Sequence, residues 1–292
     1  MDNAEWIEKP HAWEFATGFL PTPFHLKRVK RMGHPVVFDW YHGQVSNSKE
    51  HGKFITFEGL DGCGKTTQLE RLAAVLRSQG IEVLTTREPG GTEIGERIRA
   101  VLLDSRTADL DPMTEMALMF ASRAQQLAQV ILPALESGKW VLCDRFTDST
   151  EAYQGGGRQL GSDAVLQVHR VLCRNVWPDL TILMDSEVEH SVQRARRRNK
   201  AAVQGSQADE NRFEQESKAF FTRVQQAFRE IARREPQRVA MVDARRPPDV
   251  VHPEIARIVQ ERFAQLSAEK KGVNLGHTPE KADPSRAEAR SG

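Results

Sequence analysis

The stretch FITFEGLDGCGKTTQ, residues 54–68, constrains the fold more than any other: a short apolar run breaks into glycines and ends in Lys-Thr-Thr. Gly59 to Thr66 fit the pattern G-x-x-x-x-G-K-[ST]. Each residue type in it has a physical reason. Small residues let backbone N–H groups converge on phosphate oxygens, and the N-terminus of a following helix adds positive potential. Lys65 reaches the outer phosphates, and the Thr66 hydroxyl can ligate magnesium. The pattern works only between a strand and a helix, and the flanks supply both: Leu69, Leu72, Ala73 and Leu76 recur at i, i+3, i+4 and i+7. Gly59, Leu60, Asp61, Gly62, Cys63, Gly64, Lys65, Thr66 and Thr67 are therefore the expected cradle for a nucleoside triphosphate.

From residue 53 to about 266, apolar runs alternate with segments of helical period, the pattern of βα units on a parallel sheet. The candidate strands are Phe54 to Phe57, Val83 to Thr86, Trp140 to Cys143, Leu180 to Met184 and Val239 to Val242. Each connection is long enough to hold a helix that returns to the same sheet. The expectation is an α/β chain with the three-layer P-loop NTPase fold: a five-stranded parallel sheet flanked by helices, with a helical lid. Residues 1–52 form an N-terminal extension that carries three of the five tryptophans but no clear period. A docking arm, an accessory segment, a weakly structured leader or a misplaced start all remain open for it. Residues 267–292 are polar without hydrophobic period and are expected to be a disordered tail.

Charge is balanced, 41 basic against 40 acidic residues in 292, so no global field draws the chain to nucleic acid or membrane, and neither partner is expected. Any anion site must be local. The three cysteines are scattered and in no C-x-x-C pair, which fits a reducing cytoplasm better than a disulfide framework or a zinc site. No run approaches about 18 consecutive apolar residues.

The third strand ends in Cys143-Asp144-Arg145. Hydrolytic P-loop proteins carry an acidic residue there to organise magnesium and water; a guanidinium directly beside it implies a second anion. Thr86-Arg87-Glu88-Pro89-Gly90-Gly91-Thr92 places Arg87 at the carboxyl edge of the sheet, where ligands of open α/β folds bind, although a plain pairing with Glu88 would also account for it. Phe120 and Arg123 share a helix face, which suits a planar base but also describes a core phenylalanine beside a surface arginine.

Taken in order, GLDGCGKTT, TREPGGT, LMFASRAQ and DRFTDSTEAYQGGGR closely resemble the thymidylate kinase family, ATP:dTMP phosphotransferases of the P-loop nucleoside monophosphate kinase group. The resemblance spans roughly residues 53–262 and implies ATP and dTMP as substrates, Mg2+ as cofactor and a homodimer. It implies that Asp61 approaches the acceptor's sugar and phosphate, that Arg87 and Arg145 grip the acceptor phosphate, and that Thr66 and Asp144 organise the metal. Phe120 and Arg123 would hold thymine, Gln154 would contact the base, and Tyr153 would pack near C2′ with Ser149 and Thr150 on the same wall. Gln193-Arg194-Ala195-Arg196-Arg197-Arg198 and the polar stretch to Glu216 resemble the family's lid, about residues 194–216. A run this basic also describes a solvated helix face. Because Gly62 stands where some members carry an arginine, the transition-state cation is expected from Arg196, Arg198 or Arg212. The stretch between Arg198 and Arg212 is longer than in bacterial relatives.

Cys63, His169 and His190 are given no chemistry: Cys63 reads as a tolerated small side chain, and the histidines as packing or surface residues. Against the kinase stands a second class, a P-loop ATPase or nucleotide-dependent switch acting on a protein partner. It predicts ATP turnover without any monophosphate.

Overall fold

All five expected strands form, and each runs one residue further than expected. They are β1 (Phe54–Glu58), β2 (Val83–Arg87), β3 (Trp140–Asp144), β4 (Leu180–Asp185) and β5 (Val239–Asp243). The ladder needs only backbone groups, so it continues past the hydrophobic period until a charged residue reaches the sheet's carboxyl edge. Those residues are Glu58, Arg87, Asp144, Asp185 and Asp243. The sheet is wholly parallel, in the order β2-β3-β1-β4-β5. Its register sets Arg87 and Phe57 on either side of Asp144.

This is a computed structural model; the described residues are 51–107, 109–203 and 212–270, side chains excepted at 198–203 and 265–270. They all belong to one unit, Ser48–Gly292. The expected extension up to residue 50, much of the expected lid connection and the tail from 271 lie outside them. Among them the helices are α1 (Lys65–Ser78), α2 (Glu93–Leu103), α3 (Pro112–Gln126), α4 (Leu132–Glu136), α5 (Thr147–Thr150), α6 (Ser162–Leu172), α7 (Val188–Val203), α8 (Lys218–Arg234) and α9 (Pro248–Lys270). Helix α9 continues four residues into the segment expected to be tail. Ser267-Ala268-Glu269-Lys270 contains good helix formers and no breaker before Gly272, so propensity carries the helix on.

The sheet is covered on both faces, which is why its strands read as apolar runs rather than alternating ones. On one side Leu69, Leu72 and Leu76 of α1 meet Ile255, Val259 and Phe263 of α9 over Ile55, Leu142 and Ile182. On the other, Met116, Phe120 and Ile131 pack on Phe54, Val141 and Cys143. Each such fully buried side chain contributes about 1.5–3 kcal/mol. Helix α8 closes a third cluster, with Phe220, Val224 and Phe228 around Tyr153 and Leu183. It lies so close to the π turn Glu151–Gly157 that a Cβ on Gly156 would sit 2.6 Å from that of Ala227. Thr92 caps α2 by accepting from Gly95 N at 2.9 Å, and Asp111 caps α3 ahead of Pro112.

Candidate active site

The cradle lies between β1 and α1. Lys65 is nearly buried and folds over its own loop, donating to the carbonyls of Gly59 at 3.1 Å and Leu60 at 2.9 Å. The side chains of Leu60 and Cys63 turn into the interior. Burial pushes the Cys63 thiol up, against the pull of Lys65, so it has no reactive-thiolate character. Because β3 pairs beside β1, the first turn of α1 meets the end of β3, and Thr66 Oγ1 donates to Asp144 Oδ2 at 2.6 Å. A cavity opens here, walled by Gly62, Gly64, Lys65, Thr66, Thr67 and Asp144.

A second cavity adjoins it, and the two share Asp61, Glu88, Arg99 and Arg145. Arg145 is held on three sides. Its Nη2 donates to Asp61 Oδ1 at 2.6 Å, its Nη1 to Ser149 Oγ at 2.7 Å, and its guanidinium lies 5.0 Å over the Tyr153 ring. Its backbone is left-handed, φ 71°, a conformation that is strained for a non-glycine residue. Tyr153 also donates to Asp61 Oδ2 at 3.2 Å. Beneath them Glu58 is fully buried, accepting from Phe146 N at 2.6 Å and Ser149 Oγ at 2.5 Å. Burial, then the nearby Asp148, pushes its carboxyl up to about 8. Arg87 is over half exposed and pairs with Glu96 at 3.0 Å rather than with its neighbour Glu88.

Glu88 instead is buried against Arg123, Oε2 to Nε 2.5 Å, and burial raises it to about 7 against the pull of that guanidinium. Arg123 Nη2 donates to Phe146 O and Thr150 Oγ1, while its Nη1 is buried with no partner among the described residues. Gln154 Nε2 donates to Glu115 Oε1 at 2.7 Å, and Gln154 Oε1 is likewise left over. Both side chains line the second cavity, with Met119, Leu103 and Phe213 supplying apolar wall. Phe120, expected to stack on a base, is not on that wall. It is fully buried among core residues, 6.5 Å from the His169 ring. Met119, at i, i+4 to Arg123, lines the cavity instead, because core packing takes Phe120 at i, i+3 inward. His169 itself is a core residue stacked 4.1 Å from Trp177, its pKa pressed down to about 3 by burial; His190 is exposed.

The expected lid arginines part company. Arg212 is 3% exposed, with Nη1 2.7 Å from Glu115 Oε2 and Nε donating to Leu102 O at 2.6 Å. That staple holds it away from the cradle, so the structure corrects its assignment as the mobile cation. Arg196 donates to Glu214 O at 2.9 and 2.8 Å, on the rim of the second cavity. The side chain of Arg198 lies outside the described residues. Among the described side chains of α7, Arg194 is the arginine that lines the cradle cavity. Gly62 explains the approach: at φ 84° it sits under α7, and a Cβ there would lie 2.3 Å from Ser191 O. The position is glycine because a helix crosses it.

The family model described as thymidylate kinase matches residues 57–255. A thymidylate kinase of Magnetococcus marinus is 47% identical over 212 residues, covering 73% of this chain and 97% of that protein. One from Alcanivorax borkumensis is 46% identical, covering 73% and 98%. The chain belongs to the thymidylate kinase family. Among solved structures, thymidylate kinase from Ehrlichia chaffeensis superimposes with a TM-score of 0.56 at 32% identity, covering 72% of this chain and 99% of that one.

Four residues of this thymidylate kinase fold escaped sequence reasoning. Arg99 lines both cavities and donates to Pro89 O at 3.1 Å; it reads in sequence as one more polar position of an amphipathic helix. Met119 resembles core, and Glu58 and Glu115 are hidden beneath the site. Spacing gives no signal for Met119 over Phe120, since i, i+3 and i, i+4 neighbours of Arg123 share its helix face. Among the described residues no helix is long and apolar enough to cross a membrane, and no group of three His, Cys, Asp or Glu could hold a metal.

Proposed function

We propose that the chain transfers the γ-phosphoryl group of ATP to a phosphate oxygen of dTMP, giving dTDP and ADP for dTTP synthesis. Family membership makes it a nucleoside monophosphate kinase, with ATP as donor and dTMP as acceptor. The observation that carries the site reading is the pair of cavities joined at Arg145, one phosphate-facing and the other lined by Arg123 and Gln154, which hold a buried donor and a buried acceptor without hydrogen-bond partners among the described residues. Thymine matches that pair: its O4 accepts from Arg123 Nη1, and its N3–H donates to Gln154 Oε1. Met119, Leu103 and Phe213 give its apolar edges a wall.

In this reading the acceptor phosphate lies at the shared wall, held by Arg145, Arg87 and Arg99, with Asp61 oriented by Arg145 and Tyr153. An acceptor oxygen attacks the γ-phosphorus in line; the new P–O bond forms as the bond to the β-phosphate oxygen breaks and ADP leaves. Lys65 follows the charge that moves toward the β-phosphate, and Arg194 joins Arg196 and Arg198 as a candidate lid cation. No protein nucleophile is needed. Mg2+ fits the residues present, since it takes one or two protein oxygens and completes its shell with substrate and water. Thr66 Oγ1 and the Asp144 carboxylate, 2.6 Å apart beside Lys65, would hold it, and it would neutralise phosphate charge. A homodimer and a cytoplasmic setting complete the reading: Ile94, Val101, Met113, Val171 and Leu172 leave apolar surface on α2, α3 and α6, and all three cysteines are unpaired.

Coupled ADP release measured with dTMP, dUMP, dGMP, AMP and no acceptor tests this. Turnover is expected with dTMP far above the others. Equal ATP turnover with and without dTMP, or faster turnover with a purine acceptor, would overturn it.

A further inference from the structure

Glu115 does not line the acceptor cavity, yet it decides what the cavity can read. It sits on α3 two turns before Arg123 and is fully buried. Its Oε1 accepts from Gln154 Nε2 at 2.7 Å and Arg158 Nε at 3.2 Å; its Oε2 is 3.1 Å from Arg158 Nη2 and 2.7 Å from Arg212 Nη1. A carboxylate clamped by two guanidinium groups can only accept.

A glutamine left to itself can present either end of its amide. Here one end is claimed. Turning Gln154 over would set its carbonyl oxygen against Glu115 in a fully buried site, a repulsion added to a lost hydrogen bond. The NH2 group must therefore face Glu115, and Oε1 is left buried and unpartnered in a side chain that lines the cavity.

We propose that Glu115 is a specificity-determining residue that acts through Gln154, locking its amide so that the cavity offers an acceptor where the base presents N3. This rests on the reading that the cavity takes a pyrimidine base. A 4-oxo pyrimidine carries N3–H there and donates. A 4-amino pyrimidine carries a bare nitrogen at N3 and a donor at C4, so it meets Gln154 Oε1 lone pair to lone pair and Arg123 Nη1 donor to donor. Glu115 thus selects dTMP and dUMP over dCMP, while the methyl group is judged elsewhere in the pocket.

The test compares kcat/KM for dTMP and dCMP in the wild type, Glu115→Gln and Gln154→Glu, with circular dichroism to establish folding. In Glu115→Gln the new amide can donate to the Gln154 oxygen, so both orientations become available. The dTMP-to-dCMP ratio is expected to fall roughly ten- to a hundred-fold in that variant, chiefly through KM, with kcat for dTMP within a few-fold of wild type. Gln154→Glu leaves both arginine pairs of Glu115 intact; 2.7 Å from that carboxylate the new acid must keep its proton, which it donates to Glu115 while its other oxygen turns to the cavity, so its preference for dTMP over dCMP is expected to persist. It decides the matter should Glu115→Gln fail to fold. A wild type that uses dCMP nearly as well as dTMP, an unchanged ratio in folded Glu115→Gln, or a reversed preference in Gln154→Glu would each overturn the inference while leaving dTMP phosphorylation intact. A wild type inactive with dTMP would instead overturn the function itself.

Discussion

Replacing Arg212 with Met separates the two jobs an arginine at the end of the lid could hold. The Met keeps an apolar stem against Phe213, whose ring lies 4.6 Å from the guanidinium carbon, and deletes the charge. Removing one side of a buried ion pair costs about 3–5 kcal/mol. Glu115 retains Arg158 at 3.1 Å, which favours the low end, and the carbonyl of Leu102 loses its donor for roughly another 1 kcal/mol. The sum is about 4 kcal/mol. At roughly 2–4 °C per kcal/mol for a domain of this size, Tm should drop by about 8–16 °C. Thermal unfolding followed by circular dichroism reads that directly. In the same preparation, kcat at saturating ATP and dTMP should stay within about five-fold below the transition. An arginine that stabilises the transferring phosphoryl group is worth about 10³–10⁵ in rate. A thousand-fold loss of kcat with an unmoved Tm would show that Arg212 leaves its staple and acts on the phosphate, and that the burial argument is wrong.

Gly62→Ala should lower Tm by roughly 4–8 °C and raise KM for ATP. The left-handed backbone alone costs a β-carbon about 1–2 kcal/mol, and the contact 2.3 Å from Ser191 O must be relieved by moving α7 off the loop. A variant as stable as wild type would mean that α7 does not rest on the cradle. Glu58, raised from 4.5 to about 8, gives a pH dependence of definite sign. Between those values the native state holds a proton that the unfolded chain has released, so stability falls as pH rises, by on the order of a few kcal/mol. The urea midpoint should be lower at pH 8 than at pH 5, and Glu58→Gln should flatten that slope; an unchanged slope in the variant would rule Glu58 out as its source.

Which parts of this were legible follows from what a one-dimensional pattern can carry. Hydrophobic period marks a strand only while its side chains are apolar. All five strands were found, and all five were ended one residue early, at Glu58, Arg87, Asp144, Asp185 and Asp243. Three of those charged ends, Glu58, Arg87 and Asp144, are where the site begins, because a parallel sheet delivers its carboxyl edge to the ligand. Local spacing located Arg123 but misjudged its companion: Phe120 and Met119 both lie within one turn of it, and only packing against His169 and Phe146 decides that the phenylalanine goes inward. The absence of a side chain at Gly62 was read as a missing cation. Its cause is a helix that arrives 130 residues later in the chain, a contact no local pattern encodes. Arg212 shows the converse, since a basic residue in a basic lid gives no sign of the buried carboxylate, almost a hundred positions earlier, that captures it.

The two arginines expected at the acceptor phosphate are prepared in different ways, and the difference has a mechanistic meaning. Arg145 is immobilised before any ligand arrives: Asp61, Ser149 and the Tyr153 face hold its guanidinium, and Glu58 fixes Ser149 and the backbone of Phe146 from below. Its strained φ is the cost of aiming a side chain from the end of β3 back across the mouth of β1. A cation set in place this way needs little reorganisation as negative charge gathers around it, so its attraction survives into the transition state. Among the described residues Arg87 pairs with Glu96 alone and is over half exposed, so it must leave an exposed pair to reach a phosphate. Such a pair is worth at most about 1 kcal/mol, so the acceptor can recruit Arg87 at small cost, but the recruitment belongs to binding. Within one pocket, then, Arg145 supports the chemical step and Arg87 the capture of the acceptor. The buried carboxyl groups of Glu58 and Glu115 stand one layer below, each setting the direction of a side chain that lines the acceptor cavity.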